Sequence, residues 1–201
     1  MLPGEAAIIQ QLFEAGLELF HLRKPNADEQ AVRQLIEAIP AKYHERIVMH
    51  GFFHLMEEYG ISRWHFREEH RMQTSEEELA QLKEKGYTLS TSVHDIAAVQ
   101  NLSLHFSYTF FSPVFDSISK QQYKGVAGDD FLLTDEQKPV PVIGLGGIHA
   151  DNLETVAYMN FDGAAVLGTL WNDPAKAIEI YKVLRECEDI IILNKAFRHR
   201  R

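Results

Sequence analysis

The stretch that most constrains this 201-residue chain is Pro139-Val140-Pro141-Val142-Ile143-Gly144-Leu145-Gly146-Gly147-Ile148-His149-Ala150-Asp151. It reads as a short buried strand running into a glycine turn, after which Asp151 or Asn152 caps a helix. Paired glycines at such a junction let backbone N–H groups approach an anion closely. The helix N-terminus behind them adds a favourable dipole. Further on, Asp162-Gly163-Ala164-Ala165-Val166-Leu167-Gly168-Thr169-Leu170 repeats the pattern, with a helix start at Asp173-Pro174. A single glycine pair is explained by a tight turn. Two such units in tandem, late in an alternating chain, point to the phosphate-gripping end of a (β/α)8 barrel.

The preceding sequence supplies the alternation. Helical periods over 5 to 16, 27 to 39, 52 to 59 and 75 to 85 are interleaved with strand-like runs at Leu17–Leu22, Arg46–His50, Ser62–Phe66, Tyr87–Thr91 and His105–Phe111. Asn26 or Asp28 caps the second helix, and Thr74 or Ser75 with Glu77 or Glu78 forms a capping-box pattern before the fourth. The pattern predicts about seven parallel strands in one domain spanning 1–201, a TIM-type barrel whose first strand is missing from the N-terminus. The apolar run Asp189-Ile190-Ile191-Ile192-Leu193 offers itself as that strand, as a terminal helical turn, or as a homodimer contact.

Charge and cysteine usage narrow the partners. A formal net charge of -9 argues against nucleic acid or an anionic membrane as the main partner. The lone Cys187 excludes an intramolecular disulfide and a cysteine metal cluster, which suits the cytoplasm. No apolar run is long enough to span a bilayer.

Four ordered segments carry a family resemblance: Ser90-Thr91-Ser92-Val93-His94, the loop Ser112-Pro113-Val114-Phe115-Asp116-Ser117-Ile118-Ser119-Lys120, the PVIGLGGI segment, and DGAAVLGTL. From about residue 5 to 185 the chain resembles the thiamine phosphate synthase family and its sister group, the thiazole tautomerases. The resemblance implies a transferase of thiamine biosynthesis. Such an enzyme couples a hydroxymethylpyrimidine diphosphate to thiazole phosphate and releases pyrophosphate, with Mg2+ as cofactor. On this reading Gly147, Leu167 and Gly168 grip the thiazole phosphate, Ser117 and Ser119 face the thiazole, and Lys120 faces the diphosphate. Arg23 and Ser92 match further catalytic positions, and His94 matches the histidine of a GxSxH pattern.

The departures are equally specific. Where the family has QLREK, this chain has His21-Leu22-Arg23-Lys24-Pro25. One family aspartate that ligates magnesium is replaced in His50-Gly51, and the other position holds His70 within His65-Phe66-Arg67-Glu68-Glu69-His70. Glu68 or Glu69 is left as a carboxylate for a metal, while His21 and His50 become substrate-facing residues. Two alternatives stay open: a tautomerase-like enzyme acting on thiazole carboxylate phosphate, with His94 or His50 transferring the proton, and a non-catalytic relative that binds thiazole phosphate. At the position of the tautomerase's own histidine this chain has Pro113.

The histidines raise a separate expectation. His21, His50, His65 and His94 fall at or near the C-terminal ends of four successive strands, and His70 is close by. If three converge, they can bind Zn2+ or supply acid/base groups; if not, they are rim residues.

Overall fold

The computed structural model describes residues 2–116, 125 and 131–198. Ser117, Ser119 and Lys120, named above for the substrate loop, lie outside the described residues. The chain forms two compact units, one made of Met1–Thr91 with Ser103–Ser107, the other of Ser92–Leu102 with Tyr108–Arg201.

In the first unit, α1 (Glu5–Glu14) buries Ile9, Leu12 and Phe13 along one helical stripe and ends before Gly16, whose φ of 103° suits a C-terminal glycine. Glu5, only 4% exposed, is paired with Lys24. The strand β1 (Phe20–Leu22) follows, then α2 (Glu29–Ala38), capped by Asp28, whose side chain accepts from the Ala31 N–H at 2.8 Å. Next come β2 (Ile47–Met49), the short α3 (Leu55–Glu58), β3 (Arg63–Phe66), α4 (Glu68–Gln73), α5 (Glu76–Glu84) and β4 (Thr88–Val93). The capping box of Ser75 and Glu78 is present at the start of α5. In α4, Glu68 and Glu69 occupy the first turn and His70 and Arg71 the last, which suits the helix dipole.

Strands β1 to β4 pair in chain order, all parallel, with Leu22 opposite Met49, Met49 opposite Trp64, and His65 opposite Ser90. Because side chains alternate, this register sorts the unit's residues onto two faces. One carries Leu22, Met49, Trp64, Phe66 and Leu89, all apolar. The other carries His21, Val48, His50, Arg63, His65 and Ser90. Phe66 stacks on His70 of α4 at 4.6 Å between ring centroids and meets Phe106 edge-on at 5.7 Å.

The second unit holds α6 (Ile96–Gln100), β5 (Phe106–Phe111, entering from the first unit), β6 (Val142–Leu145), α7 (Leu153–Tyr158), β7 (Gly163–Ala165), α8 (Gly168–Trp171) and α9 (Ala177–Arg198). Strands β5, β6 and β7 are again parallel and in chain order. Phe111, Phe131 and Phe161 pack mutually at 5.7–6.0 Å between ring centroids, beside the fully buried Leu133, Val114 and Val142. Asp162 ties this core to the strand ladder by accepting from the Val142 N–H at 2.8 Å and pairing with Lys138 at 3.0 Å.

The first described element is a helix, as expected for a barrel pattern lacking its first strand. Residues 189–193 do not supply that strand: they lie inside α9. A helical turn already under way propagates at one hydrogen bond per residue, so an apolar run directly behind it extends the helix.

Candidate functional site

The first unit gathers three histidines at the C-terminal ends of β1, β2 and β3. His21 lies within β1, His50 directly follows β2, and His65 lies within β3. Continuing the β2–β3 register by one residue brings His50 opposite His65, and strand parity places His21 on the same face. The side chains meet. His21 Nδ1 and His50 Nε2 are 2.9 Å apart, His50 stacks on His65 at 4.1 Å between centroids, and His21 meets His65 edge-on at 5.2 Å. One ring nitrogen from each of the three lies within 4.8 Å of the others. Ser90, paired with His65 across the β3–β4 ladder, brings its Oγ to 2.9 Å from His65 Nδ1.

These rings are held neutral. His65 is 2% exposed and His50 9%, and His21 is half-buried. Burial, with the guanidinium charges of Arg23 and Arg67, pushes His50 down to about 3. Burial followed by the charges of His50 and Arg63 holds His21 well below the ordinary imidazole range. His65 is lowered in the same direction, first by burial and then by His50, His21 and Arg23. A neutral imidazole keeps one nitrogen lone pair, the form that ligates metals or accepts a proton.

A cavity of about 210 Å3 opens beside His50, lined among others by Leu22, Lys24, Met49, Phe52 and Arg67. Whole-ligand pockets run to roughly 300–1,000 Å3, so this one suits a single polar group of a larger ligand. Its wall is strained at Phe52, whose φ of 53° is left-handed.

The expected carboxylates do not join this cluster. Glu68 and Glu69 are exposed in the first turn of α4, and Glu68 pairs with Arg71 at 3.4 Å. His70 is taken up by its stacking on Phe66, and His54 pairs with Glu29 at 3.0 Å. Among the described residues, the histidine trio is the only group of three or more metal-ligating side chains. Mg2+ demands oxygen ligands in a tight octahedron. The described residues therefore do not fit it.

The second unit carries the glycine turns. Gly146 and Gly147 follow β6 with φ of 106° and 65°. A Cβ on Gly147 would sit 2.8 Å from both the Asp116 carbonyl oxygen and Phe115 Cβ. The segment 113–116 is laced onto the turn by Val114 N–H to Leu145 O at 3.0 Å and Phe115 N–H to Gly146 O at 3.2 Å. Glycine is thus demanded here by backbone angle and by close packing together. Asn152 donates to the Gly147 carbonyl at 2.9 Å, and Thr169 Oγ1 donates to the Ile148 carbonyl at 2.5 Å, coupling the turn after β7 to the turn after β6. Leu167, 63% exposed, and Gly168 stand at the start of α8. In the same unit, His94 is exposed after β4, its Nδ1 2.7 Å from the Ser112 carbonyl oxygen. That acceptor requires a proton on Nδ1.

Sequence reasoning missed Ser90 as the partner of His65 and Arg67 as a second charge beside His50. The strand register identifies the first, but that register is not written in either strand alone. Arg67 has no motif to mark it.

Parallel strands in chain order, alternating with helices and with polar groups at the strand ends, define an α/β protein of the TIM-barrel-like class. The family model described as thiamine monophosphate synthase matches residues 4–170. The chain belongs to this family. It is 25% identical over 191 residues to a thiamine-phosphate synthase of Lysinibacillus sphaericus, covering 88% of this chain and 86% of the relative. The crystal structure of thiamine phosphate pyrophosphorylase from Bacteroides thetaiotaomicron superposes with a TM-score of 0.76 at 31% identity, over 94% of this chain and 93% of that one. A thiamine phosphate pyrophosphorylase of Pyrococcus furiosus shares the fold at a TM-score of 0.71 and 16% identity, over 93% and 90% of the two chains. Among the described residues no helix is long and apolar enough to cross a membrane.

Proposed function

We propose that this protein is a thiamine phosphate synthase-like transferase, joining a hydroxymethylpyrimidine diphosphate to thiazole phosphate. In that reaction the bond from the pyrimidine methylene carbon to the diphosphate oxygen breaks, and pyrophosphate leaves with the electron pair. The thiazole nitrogen then forms the new carbon–nitrogen bond. Positive charge near the departing oxygens stabilises the transition state. Arg23 is the observation that carries the reading: it is the retained cation of the family pattern, and its charge is felt by both His50 and His65. Arg67 lines the cavity beside His50 and adds a second cation, while Lys24 in the same wall is already paired with Glu5.

In the second unit the turns at Gly147, Leu167 and Gly168 take the thiazole phosphate, with Ser92 and His94 toward the substrates. Ser117, Ser119 and Lys120 complete the loop in this reading. The test is calorimetry with each substrate alone, followed by an assay of pyrophosphate release from the pair. Binding of both and release of pyrophosphate support the transferase. Binding of thiazole phosphate alone overturns it and leaves the non-catalytic relative.

One observation favours a second reading. His94 is exposed with its Nδ1 on the Ser112 carbonyl, which makes Nε2 the ring atom available for proton transfer. That geometry suits a tautomerase-like proton transfer on thiazole carboxylate phosphate. Turnover of that compound, lost in His94→Gln, would distinguish it.

A further inference from the structure

We propose that His21, His50 and His65 form a three-histidine site for a divalent first-row transition ion of the zinc class. The argument starts from the strands. Parallel pairing puts three imidazoles on one face, and their nitrogens come within 4.8 Å of one another. Four ligands around Zn2+ at 2.0–2.1 Å in a tetrahedron are separated by about 3.3 Å. The His21–His50 nitrogen pair, at 2.9 Å, is a few tenths of an ångström inside that spacing. Moving the shared proton to the donor ring's other nitrogen and turning the stacked His50 and His65 rings apart at χ2 brings all three onto one ion.

Ser90 supplies the supporting contact. Its Oγ lies 2.9 Å from His65 Nδ1; in the tautomer with the proton on Nδ1 it accepts, which makes Nε2 of His65 the ligating atom and holds the ring in place. Ligand chemistry then selects the ion. Three nitrogen donors without carboxylate or thiolate suit zinc, cobalt, nickel or copper and reject Mg2+ and Ca2+. Three protein ligands also leave a fourth position open, the pattern of catalytic rather than purely structural zinc sites. Arg23 and Arg67, whose charges reach His50, oppose a bare dication, so the open position takes an anion or hydroxide. His44 makes the contrast within the same unit. It too is buried, but its nitrogens lie 2.9–3.1 Å from the carbonyl oxygens of Ile36, Ile39 and Tyr59, a wholly structural arrangement.

This inference concerns the metal alone and is tested without either substrate. Untagged protein is stripped with a chelator, then titrated with Zn2+ against a competing indicator, with Co2+ absorption reporting geometry. One equivalent of tight binding and a tetrahedral Co2+ spectrum are expected. The double variant His21→Gln/His50→Asn restores the side chains that the family pattern carries there, and circular dichroism confirms that it folds. Its affinity should fall by more than the roughly 10–100-fold that losing an outer contact costs. Ser90→Ala should lie inside that smaller range. Absence of stoichiometric binding, or equal affinity in the double variant, overturns the proposal. The second result would assign the metal to surface histidines such as His54 or His105. Failure of the transferase reading leaves all these outcomes unchanged.

Discussion

The strand ends of the first unit and those of the second are built from different material, side chains in the one and backbone turns in the other. After β6 and β7, glycines, an asparagine and a threonine hold a backbone turn in which a single added Cβ meets a carbonyl oxygen at 2.8 Å. Around β1 to β3, three histidines, His21, His50 and His65, have closed on one another. A turn built from backbone changes only if the chain path changes, because its contacts are main-chain groups and its space is already filled. A side-chain-built site can be rewritten one residue at a time, since each strand-end position projects independently. The glycine turns are therefore fixed by the chain path, whereas the histidine cluster depends on three separate side chains.

Several substitutions press on this contrast, beginning with the largest effect. Replacing Arg23 by Met should lower pyrophosphate release by about 10²–10³-fold, the scale of removing one charge-stabilising group, while thiazole phosphate binding measured by calorimetry stays unchanged. Equal loss of both would mean that the two ends do not act separately. Gly147→Ala should reverse the pattern. It forces a left-handed alanine against Asp116 and Phe115, so denaturant titration should show a loss of about 1–3 kcal/mol together with weaker thiazole phosphate binding.

The histidine end should also show itself in the pH dependence of metal-free stability. His50 titrates near 3 in the folded chain and near its ordinary value when unfolded. As pH falls from about 6.5 toward 3, the unfolded state binds a proton that the folded state refuses, so stability declines over that window. Above it, His50 contributes no slope. In His50→Asn the decline should be shallower, and an unchanged curve would mean that other groups control it. The smallest effect is expected away from either site. Ser75→Ala removes the cap of α5 and should cost about 1 kcal/mol while leaving substrate and metal binding alone.

Much of the fold was legible because its signals are local. Asp28 and Ser75 mark helix starts by their own chemistry, Gly16 and Gly60 mark ends, and the apolar runs at 46–50 and 105–111 mark strands. The exceptions are also local. The helix at 68–73 was hidden by its polar composition, and the run at 189–193 had a strand-like composition although the helix behind it was already propagating. The site was legible only in part. Residue spacing put four histidines at strand ends, yet which of them converge depends on register and strand parity. Those gather His21, His50 and His65 and assign His94 to the Ser112 carbonyl. The choice of Glu68 or Glu69 as metal carboxylates rested on proximity in sequence to a family position. The helical turn that contains them turns both outward.

The most direct measurement is calorimetric titration of metal-free protein with Zn2+ and, separately, with Mg2+. The account predicts one equivalent of Zn2+ bound, lost in His21→Gln/His50→Asn, and no Mg2+ uptake. Stoichiometric Mg2+ binding that survives the double substitution, with no specific Zn2+ site, would contradict it.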